Sequence, residues 1–390
     1  MSVTAAQGFV ASGTAAGIKE GGATDLAVVA TTDGAPVAAA AVTTRNQMTA
    51  APVQVTLAHL EATGGHAAAV VLNSGNANAG TGEPGRADAR EMCTLTSQAL
   101  ACAAEQVLVC STGLIGYRLP MDALRSGIPA AVAAATPEGG PQAARAILTT
   151  DTVAKQSVHR AGPAVVGGMA KGAAMLRPDM ATMLAVVTTD ARIEPDQLQA
   201  VLQAAVSGSF NALSVDGAQS TNDTVIVLAS GRAGAVNPDE LATALSDVCA
   251  DLALAMCDDA EGSTKTVRLT VTGAATEAEA EQAARRIGES QLVKCSWYGK
   301  DPYWGRLASE AGSAGVTFDQ SRVAVSYGDI EVARGGVSLE LDAAEQAALA
   351  AYMDRRHIEP TVDLGVGDAR WTLLTNDLTH AYVDENMGTS

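Results

Sequence analysis

Apolar positions along the chain fall into short runs. Segment 25–30 carries Leu-Ala-Val-Val after Asp25, 36–43 is rich in Ala and Val, and 66–72 ends in Val-Val-Leu. These runs have strand length and are bounded by turn-forming residues, so they predict strands. Segments 106–110, 164–169 and 183–188 read the same way, and 266–272 alternates as a half-buried strand does. Helical spacing replaces this pattern over 86–104. Glu194-Pro195 and Asn237-Pro238 each open a helix with proline at the first helical position. The second of these carries an apolar stripe at Leu241, Leu245, Val248, Leu252 and Met256. Over 277–286 acids come early and arginines late, as a helix dipole favours. Small-residue loops are expected after two strands, at Asn73-Ser-Gly-Asn-Ala-Asn-Ala-Gly80 and at Ser111-Thr-Gly-Leu-Ile-Gly116. No internal repeat, long linker or low-complexity tract interrupts the pattern. Strands and helices are mixed without clean alternation, which predicts an α+β fold of layered sheets and helices.

Composition narrows the function classes. Of the 390 residues 47% are apolar and only 17% charged, which is globular rather than disordered composition, with ample length for a large core. Aromatics make up only 3%, so the core is filled by small and β-branched side chains. A formal net charge of −18 leaves no basic stripe for nucleic acid and opposes an anionic membrane surface. Six scattered cysteines without a C-x-x-C pair read as reduced thiols. The first residues lack a basic stretch followed by an apolar one, and no apolar run approaches membrane-spanning length, so a cytoplasmic enzyme is expected.

Several chemistries find no support. The chain has no phosphate-binding P-loop, G-x-S-x-G elbow or H-E-x-x-H, and its five histidines are dispersed. No metal or cofactor is therefore expected. The informative stretch is 167–190, where a glycine-rich turn is expected around Lys171 and a proline connector leads to Ala181 and Thr182 at the mouth of a strand. A threonine hydroxyl is a weak nucleophile that needs a base. Were Thr182 a chain N-terminus, its own α-amine, with an unperturbed pKa of roughly 7.7–8.0, would serve. A threonine opening a strand with no catalytic role is the ordinary alternative.

The block Ala170-Lys-Gly-Ala-Ala-Met-Leu-Arg-Pro-Asp-Met-Ala-Thr-Met-Leu-Ala185 resembles the self-cleavage segment of the ornithine acetyltransferase family (glutamate N-acetyltransferases, the ArgJ family). The resemblance spans nearly the whole chain. It takes in the two small-residue blocks above, Ile147-Leu-Thr-Thr-Asp151, Ser220-Thr-Asn-Asp-Thr224, Asp259-Ala-Glu-Gly-Ser-Thr-Lys265, Gly299-Lys-Asp-Pro-Tyr-Trp-Gly-Arg306 and Asp377-Leu-Thr-His-Ala-Tyr-Val-Asp-Glu-Asn386. It implies a sandwich of the DmpA/ArgJ-like type with a smaller α/β C-terminal lobe roughly within 265–350. It also implies scission between Ala181 and Thr182, giving an α chain of 1–181 and a β chain of 182–390 that share one catalytic core. Two copies of each chain would form a heterotetramer. The freed Thr182 would take the acetyl group of N2-acetylornithine as an ester, release ornithine, and pass the acetyl group to glutamate. Some members also accept acetyl-CoA, and the sequence leaves that open.

The same resemblance implies the site residues. Thr112 and Gly113 match the oxyanion-hole pair, where stabilisation of developing charge is often the largest catalytic term. Lys171 matches a substrate-binding lysine whose ammonium would meet a carboxylate. Glu261 matches a substrate-binding glutamate. It closes an acidic run with Asp258 and Asp259 at a predicted helix C-terminus, against the dipole's preference. Thr149 matches a substrate-contacting threonine, with Thr150 the alternative register, and Asn386 and Ser390 match contacts in the C-terminal tail. Asp216 and Asn222 lie in matched blocks with a structural role only. Two other readings stay open here: a self-cleaving aminopeptidase or amidase resolved by water, and an uncut binding protein.

Overall fold

The computed structural model describes residues 2–177 and 183–388. Two compact units divide the chain, one holding Met1–Asn211 and Ala218–Met256, the other Ala212–Gly217 and Cys257–Thr389.

In the first unit, four strands pair in the order Phe9–Thr14, Leu26–Thr31, Ala69–Asn76, Val107–Leu114. A six-stranded sheet runs His66–Ala67, Val37–Thr43, Thr224–Gly234, Leu184–Ala191, Ala164–Lys171, Lys155–Ala161. Ala27, Val29, Val70, Leu72 and Leu108 of the first sheet share a core with Ala39, Met169, Val186, Ile226 and Leu228 of the second. The intervening residues Leu26, Val28, Val71 and Val109 pack the opposite way, against Met92 and Cys93 of the helix Gly82–Leu100 and Leu124 and Ile128 of Met121–Ala133. A strand covered on both faces has no polar side to show, which is why these segments read as apolar runs. On the outer face of the six-stranded sheet lies the helix Pro238–Asp258. A Cβ on Gly168 would meet its Val248 at 2.8 Å and Leu252 at 3.0 Å. The five residues of its expected apolar stripe are all buried. The unit is thus a layered sheet-and-helix sandwich.

The second unit is a mixed eight-stranded sheet under the helices Glu277–Gly288, Gln291–Tyr298, Trp304–Gly312 and Ala343–Met353. Val267, Leu269, Ile287, Trp297, Tyr327 and Met353 belong to its separate core. The short strand Leu213–Ser214 joins this unit by pairing in parallel with Ala369–Asn376. Buried Lys294 fixes that junction, donating to Val215 O at 2.5 Å and Asn376 Oδ1 at 2.6 Å. All six cysteines are unpaired thiols, and Cys295 is exposed.

Three local expectations need correction. Both expected small-residue loops begin as strand, since Ala69–Asn76 and Val107–Leu114 keep pairing through Asn73–Asn76 and Ser111–Leu114. Backbone ladders do not need bulky side chains, so small residues conceal the continuation. Lys171 ends a strand rather than sitting in a glycine-rich turn. Gly167 and Gly168 mark close packing there, against the Ser2 carbonyl and against Val248. The helix expected over 86–104 runs Gly82–Leu100, and Ala101 closes it in the left-handed region at φ 57°.

Candidate active site

At the paired strand ends Asn73 faces Ser111, Ser74 faces Thr112 and Gly75 faces Gly113. Thr112 is buried and Gly113 exposed. Gly113 has φ +131°, and a Cβ there would lie 2.3 Å from the Gly75 carbonyl carbon, so the two strands approach only because this residue is glycine. Polar side chains hold the following loop. Asn73 Nδ2 donates to Asn76 O at 2.8 Å, Ser74 Oγ to Ala146 O at 2.6 Å, and Asn222 Nδ2 to both Ala77 O at 2.6 Å and Ser111 O at 2.9 Å. Asn222 thereby ties both strand ends to the segment preceding Thr224–Gly234.

The neighbouring Asp223 holds Met183 at the entry to the strand Leu184–Ala191. Its Oδ1 accepts the Met183 N–H at 2.8 Å, and Thr224 N donates to Met183 O at 3.1 Å. Burial pushes the Asp223 carboxyl well above the usual carboxylate range, against the opposing pull of the Met183 N–H, Lys171 and Ser220. Three buried polar atoms gather here without a hydrogen-bond partner among the described residues: Asn73 Oδ1, Ser111 Oγ and Asp223 Oδ2. Buried polar atoms are nearly always paired, so these three are open to a water or a ligand.

A buried charge cluster stands beside this end. Asp151 accepts from Lys155 Nζ at 2.6 Å and from the Gly172 N–H at 2.6 Å on Oδ1, and from Thr149 N at 3.2 Å on Oδ2. Lys171 Nζ lies 3.8 Å from the same Oδ2, with its side chain 3% exposed. Thr149 and Lys171 are therefore brought to one carboxylate, and this buried lysine is no solvated surface charge. Burial alone would raise the Asp151 pKa, but Lys171, Lys155 and the Gly172 N–H outweigh it and hold the carboxyl at about 2. A depressed carboxylate stabilises the fold above its unfolded pKa, and that stabilisation fades as pH falls through the folded value. Asp151→Asn is accordingly expected to lower the melting temperature at pH 7, the change costing about 3–5 kcal/mol. The gap from wild type should narrow by about 2 kcal/mol as the pH drops from about 4 toward 2. A gap of constant size across that range would contradict the charged role.

In the second unit the structure brings Glu261 and Asn386 together, with Asn386 Nδ2 donating to Glu261 Oε2 at 2.8 Å. Glu261 is 7% exposed and lies just past the helix Pro238–Asp258, in a turn closed by Ser263 N donating to Ala260 O at 3.0 Å. The adverse position of Asp258 is answered locally. His357 Nε2 lies 3.0 Å from its carboxylate, and Arg356 donates to its carbonyl at the helix end. Asn386 follows the helix His380–Glu385, whose N-cap Thr379 accepts from Tyr382 N and donates to Gly262 O at 2.6 Å. Ala181, Thr182 and Ser390 lie outside the described residues. Asp151 and Asp223 were not singled out from the sequence. The acids inside the Thr-Thr-Asp and Ser-Thr-Asn-Asp-Thr blocks were the available signal.

The profile of the ArgJ family matches residues 10–388. A Thermobifida fusca protein named arginine biosynthesis bifunctional protein ArgJ is 46% identical over 392 residues, covering 100% of both chains. Proteins of that name from Mycobacterium bovis and Streptomyces coelicolor are 47% and 45% identical over all of this chain, covering 96% and 100% of their own lengths. Among solved structures, an ornithine acetyltransferase from Mycobacterium tuberculosis complexed with ornithine aligns at 49% identity over 45% of this chain and 94% of its own, with a TM-score of 0.43.

Proposed function

Because the chain belongs to the ArgJ family and is an acyltransferase, we propose that it moves the acetyl group of N2-acetylornithine to glutamate. It does so through an ester on Thr182, after its own scission between Ala181 and Thr182. One observation carries this reading. Met183, one peptide beyond Thr182, is clamped by Asp223 and Thr224, and the adjoining Asn222 ties down the strand bearing Thr112 and Gly113. Asn73, Ser111 and Asp223 of these same elements each keep a buried polar atom unpartnered among the described residues.

In this mechanism the Thr182 α-amine takes the hydroxyl proton as Oγ attacks the acetyl carbonyl. Thr112 and Gly113 stabilise the oxyanion. The C–N bond breaks and the amine proton leaves with ornithine. The glutamate amine then attacks the ester, restoring the hydroxyl and releasing N-acetylglutamate. Thr149, Lys171, Glu261, Asn386 and Ser390 bind the substrates. The relatives' description as bifunctional favours acetyl-CoA as a second donor. Chains 1–181 and 182–390 would assemble as two pairs, in the cytoplasm.

Purified protein incubated with N2-acetylornithine is expected to release ornithine rapidly only when glutamate is present. Equal release without glutamate would make water the acceptor and turn the assignment to an amidase.

A further inference from the structure

We infer that Lys19 is a second substrate-binding cation, placed to take the side-chain carboxylate of the acetyl acceptor. This rests on the glutamate reading above. The inference starts from Asp25, fully buried at the foot of the strand Leu26–Thr31. Its carboxylate accepts four consecutive backbone N–H groups, from Ala16 at 2.6 Å, Gly17 at 3.1 Å, Ile18 at 2.6 Å and Lys19 at 2.9 Å. The 16–19 loop is therefore rigidly wrapped on a buried acid, and Lys19 leaves it in a fixed direction.

That direction is toward the site. The Lys19 stem lies over Gly75, where a Cβ would meet Lys19 Cγ at 3.0 Å, and Gly75 is the cross-strand partner of Gly113. Lys19 Nζ donates to Leu148 O at 2.6 Å and more weakly to Thr24 O at 3.3 Å. Leu148 precedes Thr149, whose N–H rests on Asp151, the carboxylate beside Lys171. A continuous chain of contacts thus links Lys19 to the proposed carboxylate-binding lysine. Burial pulls the Lys19 pKa below the ordinary lysine range; Asp25 and Asp151 oppose this, and Lys171 adds to it.

Lys19 makes no ion pair with a carboxylate among the described residues. An ammonium has three donors, and two point at carbonyls, so one remains for a ligand. Both amino-acid substrates carry an α-carboxylate, which Lys171 serves. Glutamate alone carries a second one. A further ammonium beside Lys171 gives a site shared by a basic and an acidic substrate the charge it needs for the acidic one.

The test compares glutamate with glutamine as acetyl acceptor from N2-acetylornithine, in wild type, Lys19→Met, Lys19→Gln and Lys19→Arg. Autocleavage reports that each variant folds. Both neutral variants should raise the KM for glutamate about tenfold or more, leave glutamine little changed, and so collapse the glutamate-over-glutamine preference. Lys19→Arg should restore most of that preference. An unchanged preference in cleaved Lys19→Met or Lys19→Gln, beside an active wild type, overturns the Lys19 role alone. No transfer to glutamate by wild type overturns the functional reading as well.

Discussion

Thr182→Ala is expected to yield one uncut chain of 39.3 kDa that transfers no acetyl group. Two functions are removed at once. Without the hydroxyl, the Ala181 carbonyl has no nucleophile to migrate to, so the peptide bond persists. Without scission there is no α-amine to act as base, and without Oγ there is no ester to form. Loss of a covalent nucleophile typically costs on the order of 10⁴-fold or more in kcat, since the remaining groups act as one unit with it. Thr182→Ser keeps a hydroxyl and should still cleave. Intact-mass spectrometry and the ornithine-release assay read both results. Measurable transfer by the uncut alanine variant would remove Thr182 from the mechanism. A wild-type chain that stays at full-length mass after long incubation would remove scission itself.

Legibility in the sequence follows the range of the interactions involved. Strands such as Leu26–Thr31 announce themselves because burial on both faces forces an unbroken apolar run. The helix Pro238–Asp258 does so through its proline and its stripe. The short strand Leu213–Ser214 gave no signal, since its partner lies about 160 positions away in Ala369–Asn376 and two paired residues leave no period to read. Thr112 and Gly113 were found by resemblance, but their place on a strand was hidden by small side chains. Glu261 was also matched by resemblance, and the acidic run it closes at a helix end, against the dipole's preference, was a local sign visible in the order of residues. Asp151, Asp223 and Lys19 did not stand out. A buried carboxylate clamped by two lysines, a buried acid holding the Met183 N–H and a half-buried lysine are the same letters until the chain is folded.

Those hidden acids also bear on how an acidic chain could serve the carboxylate substrates proposed above. Net charge is −18, yet Asp151 is engaged by Lys155, Lys171 and two backbone N–H groups, and Asp25 by four. Local field follows where the charges lie rather than the overall count.

Gly113→Ala is expected to cut kcat by about 10²–10³-fold while leaving the KM for N2-acetylornithine nearly unchanged. The reason is geometric. The new methyl would stand 2.3 Å from the Gly75 carbonyl carbon and 2.4 Å from Asn76 N, both backbone atoms that no side-chain rotation can clear. At φ +131° an alanine is also strained whatever the space. Relief requires the Val107–Leu114 strand end to move away from Ala69–Asn76, and that shift would displace the Gly113 N–H from the oxyanion role proposed for it. An oxyanion contact exists only in the transition state, so its loss lowers kcat without weakening ground-state binding. The same clash should cost about 1–3 kcal/mol of stability, seen as a melting temperature lowered by several degrees. Assays well below that temperature separate the two effects, since the folded fraction is then complete. A variant with wild-type kcat and a lowered melting temperature would reduce Gly113 to a packing residue and move the oxyanion hole elsewhere.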